Sequence, residues 1–346
     1  MRAGFRVAEP RWWRKVVRRC DAVDFGWRDG VVASKVARML TPFTMWLCTG
    51  TLALAAVLLA AGAVFSGKRR RAEEAARWCP VPAEGEADEA VVAEPGVPER
   101  GVACDFYRAF DGVVAIFVFG LYLTPLVGAW MGKVGGEAGE INRTALVGGI
   151  VTQFMFTFMV TAAVVWRRNP VDWLGLRLPA GDVWQWVRGL MGMAAAVIAT
   201  WIVAALMAAS GLVDFLTEME GGGDGKQEVV RAFETTQDPV ALFLLAFMAV
   251  VVAPVAEEVV FRGYMYPVAK RYCGRVMAAL GVSLLFSLVH YHAVGLIPLA
   301  FLAVLMTVAY EKSRSIWLPI AIHMIFNGMT VLVQLGQRFG WWEVPQ

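Results

Sequence analysis

The chain has 346 residues, is 58% apolar and carries a formal net charge of +3. Its mean hydropathy is +0.56, and charged residues make up 18%, below the quarter usual for soluble proteins. These values exclude a string of ordinary soluble domains, and the small cationic excess comes with no nucleic-acid-binding motif.

Residues 1–38 form a basic tail with ten Lys or Arg and with Trp12, Trp13 and Trp27 interleaved. That pattern suits an amphipathic segment on an anionic membrane surface. A cleaved signal peptide is not expected, because the first apolar run, 39–67, starts late and exceeds a typical h-region. This run is read as the first membrane helix. Residues 68–111 are a polar connection that opens on Lys68–Arg71 and turns acidic and Pro-containing; it is read as mostly flexible.

Residues 112–337 are read as the membrane domain, and 338–346 as a C-terminal tail. The runs 112–132, 144–166, 189–213, 239–256 and 315–337 contain no Asp, Glu, Lys or Arg. Each approaches or exceeds the ~20 residues that cross ~30 Å of hydrocarbon as a helix. A longer run, 276–310, is broken at His290–Gly295 and reads as a helical hairpin. Its two arms of about 16 residues would each be ~24 Å long, so the tip is expected to stop within the membrane. The fold class is all-α: a polytopic integral membrane protein with about eight transmembrane helices.

Between the spans, residues 214–238 are acidic and contain the flexible stretch Gly221–Gly225. Lys68–Arg71, Arg167/Arg168/Arg177, Arg262/Lys270/Arg271/Arg275 and Lys312/Arg314 flank alternate connections, which the positive-inside rule places in the cytoplasm. The acidic segment would then lie outside, and eight spans would put the basic tail outside as well. The five cysteines show no CxxC spacing. Cys79 and Cys104 share one polar connection and could pair in an oxidising compartment, but two unrelated thiols is the reading preferred.

All three histidines, His290, His292 and His323, fall in the apolar C-terminal region, and the run 239–256 ends in Glu257-Glu258. Ionisable residues in a membrane segment point to function. Pro254 precedes the glutamates and is expected to bend their helix by freeing a carbonyl one turn earlier. Adjacent residues project ~100° apart on a helix. Glu258 can pair with Arg262 at i,i+4, leaving Glu257 to face a cavity. The plain alternative is that the two glutamates mark the aqueous end of the helix. His290 lies at the hairpin tip. His292 points elsewhere and is read as a hydrogen-bonding bystander. His323 and Asn327 are i,i+4 and share one helix face; a packing role is the competing reading.

A carboxylate, two imidazoles and a carboxamide can activate water and hold an oxyanion. No serine or cysteine in these motifs is placed as a nucleophile. Glu257-Glu258-x-x-x-Arg262-Gly263, Phe286-x-x-x-His290 and His323-x-x-x-Asn327 resemble the motifs of the CPBP family, the CAAX prenyl-proteases and bacteriocin-processing enzymes also called Abi. The resemblance covers residues 239–330 and leaves 1–130 unassigned. It implies an all-helical intramembrane endopeptidase in a bacterial plasma membrane, with its site opening toward the cytoplasm. It also implies roles: Glu257 with His290 activating water, His323 with Asn327 forming the oxyanion hole, and Glu258 and Arg262 in support. The implied substrate is a peptide or protein, lipidated or not, met among membrane lipids.

A glutamate-type mechanism without cofactor is favoured. Zinc on Glu257, His290 and His323 is the alternative on ligand types, although the chain contains no HExxH. Gly221-Gly-Gly-Asp224 matches a GxGD motif but sits in a polar linker. Two other functions stay open: a proton-coupled transporter using Glu257, His290 and His323 as a relay, and a non-proteolytic membrane scaffold or immunity protein.

Overall fold

The structure is a computed structural model that describes residues 49–64, 101–124, 143–176, 183–220 and 227–341. The chain divides into Met1–Met39 and Leu40–Gln346, and all described residues fall in the second unit. The basic tail, Lys68–Arg71, Cys79, the Gly221–Gly225 stretch and residues 342–346 lie outside the described residues.

Every regular element among the described residues is helical. In chain order they are α1 (Thr49–Val64), α2 (Ala109–Tyr122), α3 (Arg143–Val165), α4 (Pro170–Leu174), α5 (Val183–Ala209), α6 (Leu212–Glu220), α7 (Glu228–Thr235), α8 (Pro239–Cys273), α9 (Arg275–Leu288), α10 (Ala293–Ser313) and α11 (Trp317–Arg338). Five are long and apolar enough to cross a membrane: α3, α5 from Val187, α8, α10 and α11. α1, α2 and α9 are shorter apolar helices. The expected spans at 39–67 and 112–132 run into residues that are not described. Large apolar side chains point outward from α2 and α3, with Ile116 76% and Phe158 72% exposed. Water would penalise such faces, whereas lipid accepts them.

The 276–310 hairpin forms, but with unequal arms. α9 has 14 residues, about 21 Å at 1.5 Å per residue. α10 has 21 and extends through Glu311 and Lys312. It can do so because Glu311 is neutralised from α8: Lys270 Nζ lies 2.7 Å from Oε1, and the Tyr266 hydroxyl donates to Oε2 at 2.9 Å. A charge paired in this way no longer ends an apolar helix.

Two sets of contacts define the ends of the bundle. At one end Arg167 pairs with Asp111, which also accepts from the Tyr264 hydroxyl at 3.1 Å. Lys270 and Glu311 meet there, and the Ile316 N–H reaches the Leu174 carbonyl at 2.9 Å. At the other end Arg143 pairs with Asp238, the N-cap of α8, and its hydrogen bond holds the Asp238 carboxyl down at about 2. Arg338 donates to the Phe233 carbonyl there at 2.6 Å.

The last part of the polar connection, 101–111, packs into the core. Val102, Cys104, Tyr107 and Asp111 are all buried. α1 docks against α8 and α9 through small residues. A Cβ on Gly62 would lie 2.5 Å from the Cys273 carbonyl oxygen, so only glycine permits this approach.

Candidate active site

α8 is unbroken over 35 residues although Pro254 and Pro267 lie inside it. Two π-helical stretches, Met248–Val252 and Val259–Met265, absorb the mismatch. Each closes with an i→i−5 hydrogen bond, Ala253 N–H to Met248 O and Tyr266 N–H to Phe261 O. The prolines supply no N–H, so carbonyls near them need partners from elsewhere. Asn327 Nδ2 donates to Ala249 O at 2.8 Å. The Tyr107 hydroxyl and Trp173 Nε1 donate to Gly263 O at 3.0 and 2.8 Å. The bend expected at Pro254 is thus taken up as a widened helical turn anchored to α11.

Glu257 and Glu258 diverge as neighbours on a helix must. Glu258 turns into the bundle and is fully buried. Its Oε1 accepts from Arg262 Nη1 at 2.7 Å and from His323 Nδ1 at 2.9 Å. Glu257 turns into a cavity instead. Its Oε1 accepts from Gln153 Nε2 at 3.3 Å, and Gln153 Oε1 accepts from the Tyr122 hydroxyl at 3.3 Å. Glu257 Oε2 is buried without a protein hydrogen-bond partner. Gln153 and Tyr122 belong to no sequence motif. The one available signal is that Gln153 is the sole amide side chain in the uncharged run 144–166.

His290 lies just past the end of α9, where the last carbonyls of a helix lack N–H partners. Its Nδ1 is 2.9 Å from the Phe286 carbonyl oxygen. A carbonyl only accepts, so Nδ1 carries the proton and Nε2 is the remaining ring nitrogen. The same reasoning puts a proton on His323 Nδ1 against Glu258. Phe286 is fully buried between these groups. The Arg262 guanidinium carbon is 4.4 Å from its ring centroid, and the His290 and His323 rings are centred 5.0 and 5.6 Å away. One aromatic plate therefore sets the positions of both imidazoles and the arginine. His292 caps α10, its Nδ1 accepting from Gly295 N–H at 3.0 Å.

Glu257, His290, His323 and Asn327 all line one cavity of about 870 Å³, with Tyr122, Gln153 and His292 also on its wall. α8, the α9–α10 connection and α11 thus bring together residues spread over 71 positions of sequence, from 257 to 327. Among the described residues no group of three His, Cys, Asp or Glu side chains is arranged to hold a metal ion.

The carbonyl bond of Asn327 makes a prediction separable from chemistry. Asn327→Ala removes the donor to the part-buried Ala249 O, a hydrogen bond worth about 0.5–1.5 kcal/mol. A lowered melting temperature in detergent, without substrate, is the expected result. An unchanged Tm would mean another donor replaces the amide.

A carboxylate, two imidazoles and a carboxamide thus meet in one cavity among helices long and apolar enough to cross a membrane, the kind of polar cluster that points to function. Residues 239–329 match the model of a family described as "Rce1-like: Type II CAAX prenyl endopeptidase Rce1-like". A segment of 95 residues is 26% identical to a Bacillus subtilis (strain 168) protein described as "Putative membrane peptidase YdiL", covering 28% of this chain and 39% of that protein. The match thus spans well under half of that relative's length. No solved structure matches the chain.

Proposed function

We propose that the chain is an intramembrane endopeptidase of glutamate type, which hydrolyses a peptide bond of a membrane-associated protein or peptide, with or without a lipid anchor. Its setting is a bacterial plasma membrane. The observation that carries this reading is the shared cavity of Glu257, His290, His323 and Asn327, all within the residues that match the Rce1-like family model.

Glu257, with its unpartnered Oε2, takes a proton from water as the water oxygen attacks the scissile carbonyl carbon. His290 assists through Nε2, its ring held by the Phe286 carbonyl. The carbonyl oxygen gains negative charge, and donors fixed beforehand stabilise it. His323 fills that role as imidazolium, because its Nδ1 proton is spent on Glu258 and only a proton on Nε2 can reach the oxyanion. Asn327 Nδ2 carries two hydrogens; one binds Ala249 O and the second serves the oxyanion. The C–N bond then breaks as the captured proton passes to the leaving amine. Glu258 and Arg262 orient His323. Gln153 orients Glu257 in the same sense.

The test is cleavage of a membrane-associated peptide by purified protein in liposomes. Glu257→Ala is expected to abolish it, and cleavage at the wild-type rate in that variant would remove Glu257 as the base. Prolonged chelation is expected to leave the activity intact. Activity lost to the chelator and restored by zinc alone would reverse the metal-free assignment. In cells, comparing peptide termini between wild type and Glu257→Ala would identify the substrate.

A further inference from the structure

His323, Asn327 and Gln334 lie on one stripe of α11, because steps of four and seven residues return side chains to nearly the same helix face. The cavity that holds the first two continues along this stripe past Thr330 to Gln334. Val230 and Phe233 of α7 form part of its wall there, and the bond from Arg338 to the Phe233 carbonyl ties α7 to the same end of α11. At about 870 Å³ the space is in the range that encloses a whole ligand, well beyond what one water and one carbonyl need.

Thr330 spends its hydroxyl proton locally, on the Phe326 carbonyl at 3.0 Å. Gln334 differs. Its Oε1 is buried and has no hydrogen-bond partner among the described residues. An amide in a membrane helix ordinarily bonds across to a neighbouring helix. Gln334 Oε1 does not, and burying such an atom unpaired is costly. Among the buried, unpaired side-chain N and O atoms of the described residues, only Glu257 Oε2 and Gln334 Oε1 belong to residues that line this cavity. The first has a use in the proposed reaction. The second calls for a donor that arrives with the ligand.

We infer that Gln334 is a peptide-binding residue whose Oε1 accepts a backbone N–H from a segment lying extended along α11. Asn327, which the proposed mechanism sets beside the scissile carbonyl, is ~10.5 Å away along the helix at ~1.5 Å per residue. An extended chain advances ~3.3 Å per residue, so the N–H belongs to a residue about three positions from the scissile bond. An α-helix bonds its N–H groups internally, so an intact transmembrane helix cannot fill this subsite. Proline at that position cannot either, because it has no N–H. The ligand class is therefore a peptide segment unwound over the residues between the scissile bond and Gln334. That the segment is cleaved rests on the peptidase reading; that Gln334 pairs with its backbone does not.

The experiment uses the full chain in detergent and a pool of synthetic nine-residue peptides of Ala, Leu, Val and Phe, each accompanied by versions N-methylated at one position. Peptides retained by the protein are counted by mass spectrometry, with Glu257→Gln in place to prevent turnover. For the best-retained peptide, N-methylation at one position is expected to lower retention about 2- to 10-fold, the loss of one hydrogen bond. Adding Gln334→Met keeps the side chain's length without its amide, and the same N-methylation is then expected to have no effect. The methionine chain is also expected to melt no lower than its parent, since an unpaired oxygen is removed. No retained peptide, or equal sensitivity to N-methylation in both chains, overturns the proposal. So does a lower Tm for Gln334→Met, which would give the amide a partner inside the protein. With Glu257 restored, cleavage is expected about three residues from the sensitive position, and proline there should block it; cleavage of the adjacent bond overturns the placement. Retention that depends on Gln334 without any Glu257-dependent cleavage would sink the peptidase reading alone. Cleavage indifferent to Gln334→Met and to N-methylation would sink the subsite alone.

Discussion

Arg262→Ala is expected to destabilise the protein by about 3–5 kcal/mol, the cost of stranding one member of a buried ion pair. Arg262 and Glu258 are 1% and 0% exposed, so solvent cannot take over from the lost partner. The guanidinium donates to Glu258 Oε1 at 2.7 Å and to the Ala303 carbonyl at 3.3 Å, and it covers the Phe286 ring. Alanine would leave the Glu258 carboxylate with His323 alone and open a void against Phe286. Lysine would not restore the site, because it lacks the planar fork and stacks poorly. The double variant Glu258→Leu/Arg262→Leu separates the two costs. Replacing a buried pair by apolar side chains is often neutral or stabilising by about 1–4 kcal/mol, so its Tm in detergent should recover toward wild type. Its cleavage should not recover, because His323 Nδ1 loses the acceptor that orients the ring. A single Arg262→Ala variant melting within about 1 kcal/mol of wild type would show that the pair contributes little to stability.

That network was partly legible in the sequence. The i,i+4 spacing of Glu258 and Arg262 predicts their pairing, and the 100° step between neighbours separates Glu257 from Glu258. Similar local spacing placed His323 and Asn327 on one face. What local spacing cannot carry is a partner from another helix. Gln153 and Tyr122 bind toward Glu257 from α3 and α2, over more than 100 positions of sequence. Nothing in the Pro254 segment says that Asn327 will take the Ala249 carbonyl, so the expected bend becomes an anchored π turn. The α10 arm outgrew its expected length for a similar reason. Glu311 reads as a stop when seen alone and as a buried partner of Lys270 when α8 is beside it. The stretch 101–111 ends a connection read as polar and mostly flexible, yet Tyr107 and Asp111 serve groups just past α3 and on α4 and α8.

The same distinction between local and cross-helix roles bears on His290, whose imidazole has two uses that mutation can separate. As a cap, Nδ1–H satisfies the Phe286 carbonyl at the end of α9. As the catalytic group of the proposed mechanism, Nε2 would handle a proton of the attacking water. General acid–base groups contribute about 10²–10⁴-fold, so His290→Ala is expected to lower kcat by that factor with KM little changed. Alanine removes the cap as well, and an activity loss alone would not tell the two apart. His290→Gln decides between them. Its amide can donate to a backbone carbonyl but cannot take a proton from water near neutral pH. If Nε2 takes part in the chemistry, His290→Gln should melt near wild type and still lack activity on the scale of His290→Ala. Recovery of kcat in His290→Gln would reduce the imidazole to a helix cap and leave Glu257 as the sole base. His292→Gln provides the control. That side chain accepts from the Gly295 N–H and caps α10, so a glutamine oxygen there should preserve both fold and rate.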